Sequence, residues 1–146
     1  MYRGGRPGPV TRIVNRLTAR QYSAGLLSPR YTMTLEVAGR RTGRPVMLPV
    51  VVADYGGDRY LVSMLGSGAN WVRNVRAADG RAALHRRGRR TVALEEIAPS
   101  ERAPILRRYL DLAPGARPHF PIDRHATPAE FAAVADRYPV FRIHTL

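Results

Sequence analysis

Gly39 to Val50, GRRTGRPVMLPV, constrains this chain more than any other stretch. Arg40, Arg41 and Arg44 surround Gly43, and glycine supplies the positive φ that a tight hairpin turn needs. Before the turn, Tyr31, Met33, Leu35 and Val37 alternate with Thr32, Thr34 and Glu36, the period of a half-buried strand. After it, Val46–Ala53 is almost continuously apolar, as a central strand is. A chain with this unit builds an antiparallel sheet and sets three guanidinium groups at one end of a hairpin. Guanidinium is planar, permanently charged and matched to carboxylate and phosphate oxygens. The turn therefore reads as an anion site, and its plain alternative is a solvated basic loop.

Four more short strands follow from the same patterns: Arg59–Leu65, Arg81–Arg87, Thr91–Ile97 and Val140–His144. Tyr55-Gly56-Gly57-Asp58 and the RRGRR tip around Gly88 read as the turns of two further hairpins. Six short, mostly antiparallel strands with helices at the edges imply a mainly β fold of the α+β type, a small barrel or sandwich. Residues 1–9 read as a mobile arm and 10–146 as a single domain. Val10, Ile13, Val14 and Leu17 fall on one helical face, with Arg12, Arg16 and Arg20 on another. Such a helix docks on its own domain or lies on an anionic bilayer. Between the third and fourth strands runs GSGANWVRNVRAAD, Gly66–Asp79. Its glycines lead to Asn70 as a helix cap, with Trp71, Val75 and Ala78 on one face. A glycine-rich loop entering a helix presents backbone N–H groups and the positive dipole end, a second anion site. Trp71 fits either a core position or a ligand platform. Pro99–Leu112 reads as a helix capped by Ser100, with an Ile105-Leu106-Tyr109-Leu110 stripe. Pro114–Pro128 is a long Pro- and His-rich loop, a lid or binding loop or else a surface connection whose Phe120 plugs the barrel end. Thr127 or Pro128 opens a last helix containing Phe131 and Val134.

Composition narrows the chemistry. The chain has 146 residues, 45% of them apolar, enough for a real core. It has no cysteine, so disulfides, thiolate metal sites and cysteine nucleophiles are excluded. The net charge is +13, carried by 24 basic residues that are all arginine, and favours anionic partners. No run approaches a membrane-spanning length, and the N-terminus lacks the apolar core of a signal peptide, so a cytoplasmic protein with optional membrane association is expected. His119 and His125 are six apart in a Pro-broken loop, which is not metal-ligand spacing, and no metal is expected. No GxSxG elbow occurs, and Glu95 and Glu96 fall on opposite faces of a strand. An anion cradle on a β domain with no nucleophile of its own suits a protein that borrows its chemistry from a phosphorylated cofactor.

Three blocks, GRRTGRPVMLPV (Gly39–Val50), GDRYLVSMLGSGANWVRNVRA (Gly57–Ala77) and YPVFRI (Tyr138–Ile143), resemble the deazaflavin-dependent nitroreductase and quinone reductase family, which uses coenzyme F420. The resemblance covers most of the chain after residue 30 and implies a split β-barrel. It implies that Arg40 and Arg41 hold the cofactor's phosphate and glutamate tail. Val46 stands where relatives often carry another basic residue, so that contact is lost or moves to Arg44. The segment under the deazaflavin ring falls on Pro49, Val50 and Val51, and Val51 stands where relatives can carry a tyrosine. The loop before the tryptophan, Met64-Leu65-Gly66-Ser67-Gly68, is short and lacks the lysine often found there, leaving backbone N–H groups and Ser67. Trp71 and Asn74 match the family's W-x-x-N.

The activity so implied is hydride transfer from reduced deazaflavin to a quinone, a nitro compound or an activated alkene. Tyr138, His119 and His125 are the candidate proton donors. The competing readings are an FMN- or haem-binding member of the same barrel type, and a basic nucleic-acid-binding barrel. The expected partner is a small-molecule hydride acceptor and not nucleic acid; peripheral contact with an anionic membrane stays open, as does the choice between monomer and dimer.

Overall fold

The computed structural model describes residues 29–146. The expected arm, 1–9, and the amphipathic helix of Val10–Leu17 lie outside the described residues. A short 3-10 turn, Pro29–Tyr31, leads into six strands: β1 (Thr32–Ala38), β2 (Pro45–Tyr55), β3 (Asp58–Val62), β4 (Arg81–His85), β5 (Arg89–Glu96) and β6 (Val140–Thr145). They close into an antiparallel barrel in the order β1-β2-β3-β6-β5-β4. Hairpins supply three of the pairings, and β6 enters between β3 and β5. The closing seam is short: Thr34, Leu35 and Glu36 of β1 pair with His85, Leu84 and Ala83 of β4. The Glu36 carboxylate reinforces it, accepting from His85 Nε2 at 2.7 Å and Arg89 Nε at 3.1 Å. Closure leaves RRGRR no sheet edge to protect, the role a basic tip plays in an open sheet.

Two cores follow from the strand period. Inside the barrel, Leu35, Val37, Val50, Val52, Leu61 and Phe141 meet Val72 and Val75 of helix α1 (Asn70–Ala77), which plugs one end. Outside it, Val51, Ala53, Tyr60 and Val62 carry helices α2 (Ala103–Leu112) and α3 (Pro128–Val134) through Leu106, Leu110 and Phe131. Both faces of β2 are therefore buried, which is why its sequence is continuous rather than alternating. The Ile105-Leu106-Tyr109-Leu110 stripe is buried as its spacing predicts. Burying each such side chain contributes about 1.5–3 kcal/mol.

Several ends differ from the sequence reading. β3 stops at Val62 because Ser63 turns away: its Oγ donates to Gly66 O at 2.7 Å. Asn70 is the first helical residue of α1 rather than its cap; Ala69 holds the cap position without a side-chain bond. Ser100 lies within a 3-10 turn, Pro99–Glu101, and caps nothing; α2 starts at Ala103. Thr127 does cap α3, forming a reciprocal pair with Glu130. At the exit of α1, Gly80 has φ +84°, and a Cβ there would lie 2.5 Å from Leu94 O, so only glycine lets β5 approach. In the Pro114–Pro128 loop, residues Pro114–His119 form a 3-10 helix. Phe120 is 7% exposed and stacks on Tyr138 at 4.0 Å, so it anchors the loop in the outer core. Among the described residues no helix is long and apolar enough to cross a membrane.

Arg102 ties the outer layer to the barrel. It is 5% exposed, and its guanidinium donates to Ile97 O (3.1 Å), Ala135 O (3.1 Å), Tyr138 O (3.3 Å) and Glu96 Oε2 (3.2 Å). Arg102→Met removes these donors and leaves buried carbonyls unsatisfied; stability in a chemical-denaturation titration should fall by about 3–5 kcal/mol. A second expectation concerns acid. Hydrogen bonds from Arg89 and His85 hold the Glu36 carboxyl below its ordinary value, and Arg76 does the same for Glu96. A carboxyl whose pKa is depressed by folding contributes stability above its unfolded pKa and loses it as pH falls through the folded one. Thermal stability should thus hold from neutrality to about pH 5 and drop below about pH 4.5. Glu36→Gln should be less stable at pH 7 and flatten part of that acid drop, which a melting series against pH will show.

Candidate functional site

The β1–β2 turn is closed by Gly39 N donating to Arg44 O and Gly43 N donating to Gly39 O, both at 2.8 Å. Gly43 takes φ +76°, as the turn requires. The turn is fastened to α1. The main-chain N and Nη1 of Arg40 both donate to Asn74 Oδ1, at 3.0 and 2.9 Å, and Nη2 reaches Asn70 Oδ1 at 3.5 Å. Asn74 is 4% exposed, and a carboxamide oxygen so buried is costly unless it is paired. Asn74 thus holds the turn against the first turn of the helix, while Arg41 and Arg44 stay exposed. Nothing local in the sequence signals this link, because Arg40 and Asn74 lie 34 residues apart.

The loop entering α1 is built from both sides. Ser63 N donates to Pro139 O at 3.0 Å and Gly66 N to Ser63 O at 3.2 Å. Gly66, at φ +84°, sits against Arg137 O. Ser67 and Gly68 are exposed. The first helical bond runs from Arg73 N to Ala69 O, so the amides of Asn70, Trp71 and Val72 face out at the positive end of the helix. No acidic residue lies in that first turn. The arginine turn is therefore joined through Arg40 to a helix whose N-terminus has no side-chain cap and which a glycine loop enters.

Pro49, Val50 and Val51 lie on the part of β2 that pairs with β1 (Thr34, Met33 and Thr32). The β2–β3 ladder begins only at Val52, so among the described residues the second edge of Pro45–Val51 has no strand partner. This edge starts directly after Arg44 and reaches Pro49 about 16 Å further on. Val50 faces the barrel interior, and Val51 is buried under the outer layer. Trp71 is half-buried against the barrel core, its ring 5.6 Å from Phe141. Met64 is half-buried on the outer core that contains Tyr138.

The candidate proton donors separate. Tyr138 is buried; its hydroxyl donates to His119 O at 3.0 Å while its ring stacks on Phe120. His119 is exposed and is joined to the loop before α1 through Tyr138 and the neighbouring Arg137. His125 is exposed, and its main-chain N bonds Asp123 Oδ1 at 2.7 Å. No hydrogen bond or ion pair among the described residues ties His125 to the arginine turn.

The fold is shared with solved structures. A protein of unknown function from Agrobacterium tumefaciens superposes with a TM-score of 0.56 at 15% identity, over 79% of this chain and 48% of that one. An F420-H2 dependent reductase superposes at 0.54 and 18% identity, over 81% and 97% of the two chains. A heme binding protein from Mycobacterium smegmatis gives 0.50 at 17%, over 82% and 47%. This chain spans about half the length of the first and third. At these identities the likeness is one of fold: a six-stranded barrel with flanking helices. Curated proteins give no match. The model of one family, described as F420H(2)-dependent quinone reductase, matches residues 10–117, which include the arginine turn, the glycine loop and α1. With most of its length matched, the chain belongs to the F420H2-dependent quinone reductase family, a family of oxidoreductases.

Proposed function

We propose that the protein binds F420 along the surface from the Arg40–Arg44 turn to the unpaired edge of β2, and reduces a quinone-type acceptor there. One observation carries the reading. The Arg40–Asn74 clamp holds a three-arginine turn at the open N-terminus of α1. Two sources of positive potential so placed repel each other, and an anion between them relieves that repulsion.

The residues fit the group. Arg41 and Arg44 would meet the phosphate and the acidic tail, with Arg40 oriented by Asn74. The N–H groups of Ser67 and Gly68, the Ser67 hydroxyl and the first amides of α1 offer donors to the same anion. The backbone of Pro49, Val50 and Val51 would support the ring, since a strand edge without a partner presents polar groups that need one. Bound F420 supplies two-electron hydride chemistry at its reduced ring. The chain's part is orientation and exclusion of water: apolar Val50, Val51 and Met64 lower the local dielectric, and Trp71 forms a wall set by Phe141.

On the acceptor side we place Tyr138 and His119. The Tyr138 hydroxyl holds the His119 carbonyl, which makes Tyr138 a positioning group in this arrangement and leaves the exposed His119 as the preferred candidate proton donor. His125 is ranked below His119 because no described contact links it to the turn or to the loop before α1. Quinones are preferred to nitro compounds and activated alkenes on the family's description alone.

A calorimetric titration with F420, FMN and single-stranded DNA tests the reading. F420 should bind more tightly than FMN, and DNA should bind weakly and lose affinity steeply with salt. Arg41→Ala should weaken F420 binding by about 1.5–3 kcal/mol while leaving the melting temperature unchanged, as expected for loss of an exposed charge-assisted contact. Asn74→Ala should weaken F420 binding as well, but with a stability loss of about 1–3 kcal/mol from the unpaired Arg40 donors. Unaltered F420 affinity in the Arg41 variant removes Arg41 from the site. Equal affinity for FMN and F420 overturns the cofactor assignment.

A further inference from the structure

The barrel end opposite the Arg40–Arg44 turn carries a second basic concavity. Its cavity of about 380 Å³ is lined by Arg59 of β3 and by Arg86, Arg87, Arg89 and Arg90 of the β4–β5 hairpin. Half-buried Met33 is the apolar side chain that reaches this cavity, backed by Leu84 and Val92, which lie in the barrel core at 4% and 1% exposure. No acidic residue lines it. Arg89 is engaged by Glu36, and Arg59 lies 3.4 Å from Thr145 Oγ1. Arg86, Arg87 and Arg90 have no carboxylate partner among the described residues. An adjoining cleft shares Met33, Arg59 and Arg86 and adds Arg30.

Two features separate this mouth from a solvated basic turn. It is concave, and low-dielectric walls lined by one sign of charge intensify the potential inside. Its backbone is also strained: the tip is Arg86-Arg87-Gly88, and Arg87 takes φ +105°. A residue with a Cβ adopts that region only at a cost, and such strain clusters at ligand clamps. The site is remote from the arginine turn, because Met33 stands near the start of β1 and the turn follows its end.

The lining also restricts the ligand. Proteins that bind single-stranded nucleic acid combine a charged groove with aromatic stacking platforms. No aromatic lines this cavity; the cleft that continues from it has one, Tyr31, whose ring is covered by Arg30 and Arg108, and carries the acidic Asp54, which a polyanion would meet. The cavity's volume lies within the small-molecule range of roughly 300–1,000 Å³. We propose that the barrel mouth binds a small organic diphosphate, with the charged end on Arg86, Arg87 and Arg90 and an apolar body on Met33. This site is independent of the cofactor reading.

The test uses geranyl diphosphate, inorganic pyrophosphate and a short single-stranded DNA as probes, by calorimetry on the full chain at fixed ionic strength. Geranyl diphosphate should bind about tenfold or more tightly than pyrophosphate, because only it has an apolar body to meet Met33. The double variant Arg86→Ser with Arg87→Gly, which relieves the strained tip, should weaken geranyl diphosphate binding about tenfold or more. Arg41→Ala and saturating F420 should leave it unaltered. Four results overturn the proposal: equal binding by the double variant, pyrophosphate binding as tightly as geranyl diphosphate, loss of binding on adding F420, or DNA displacing the diphosphate with the same arginine dependence. The third would place the ligand in the cofactor site, and the fourth would make the mouth a polymer surface. A melting temperature of the double variant no lower than the parent's shows that any loss of binding is not a loss of fold.

Discussion

The buried guanidinium of Arg102 is the interaction on which the two layers of this protein depend. A six-stranded barrel satisfies its own backbone in the ladders, and its interior is filled by side chains and α1. The outer helices have no such closure. Between the end of β5 and the start of β6 the chain leaves the barrel, builds α2 and α3 and returns, and carbonyls at its points of departure and return need donors. Arg102 supplies them to Ile97, Ala135 and Tyr138 from one rigid fork and takes Glu96 as counter-ion. Burial lowers the pKa of its guanidinium, and Glu96 opposes that shift. Lysine, with a point charge in place of a fork, does not span three carbonyls and a carboxylate at once. The same carboxylate is held by Arg76 at the last turn of α1, so one acid joins the barrel plug to the outer layer.

That junction reaches the site. Tyr138, whose carbonyl Arg102 holds, offers its hydroxyl to His119 and its ring to Phe120. The adjacent Pro139 carbonyl receives Ser63 N, and the Arg137 carbonyl abuts Gly66. The loop that opens α1 is therefore fixed from behind by the segment that Arg102 anchors, and fixed in front by the Arg40–Asn74 clamp. Hydrogen bonds on opposite sides of the glycine loop therefore hold it in place, as the proposed anion site requires of its donors.

What the sequence discloses depends on whether the governing contact is local. The alternation of β1 and the unbroken apolar run of β2 report burial of one face and of both faces, and both held. The Thr127–Glu130 cap was readable at a spacing of three residues. The Asn70 cap was misread for a long-range reason: its oxygen lies toward Arg40, thirty residues earlier, and Ala69 takes the cap position. Asn74 was identified through a motif match as a cofactor residue, while its buried oxygen is occupied by Arg40. Tyr138, a candidate proton donor from the sequence, lies in the core with its hydroxyl donating to His119 O. Arg102 gave no local sign at all. A single arginine before a proline-started helix is indistinguishable from a surface residue until the fold surrounds it with carbonyls.

The distribution of charge completes the argument. With +13 spread evenly, a small domain would gain solubility and little else. The described carboxylates instead neutralise the barrel wall: Glu36 at the closing seam, Glu95 against Arg142 and His144, Asp54 against Arg108, Asp111 against Arg124. The arginine excess is at the two barrel ends, although Arg89 is held by Glu36 and Asp54 lies beside the mouth. At one end, Arg40, Arg41 and Arg44 stand beside an uncapped helix; at the other, the RRGRR tip lines a cavity that Met33 reaches. The barrel interior between them is apolar. On the readings proposed above each end attracts its own anion, and what distinguishes them is their lining. One offers backbone donors and an unpaired strand edge, suited to a planar polar ring. The other offers hydrocarbon, suited to a body with no hydrogen bonds to make.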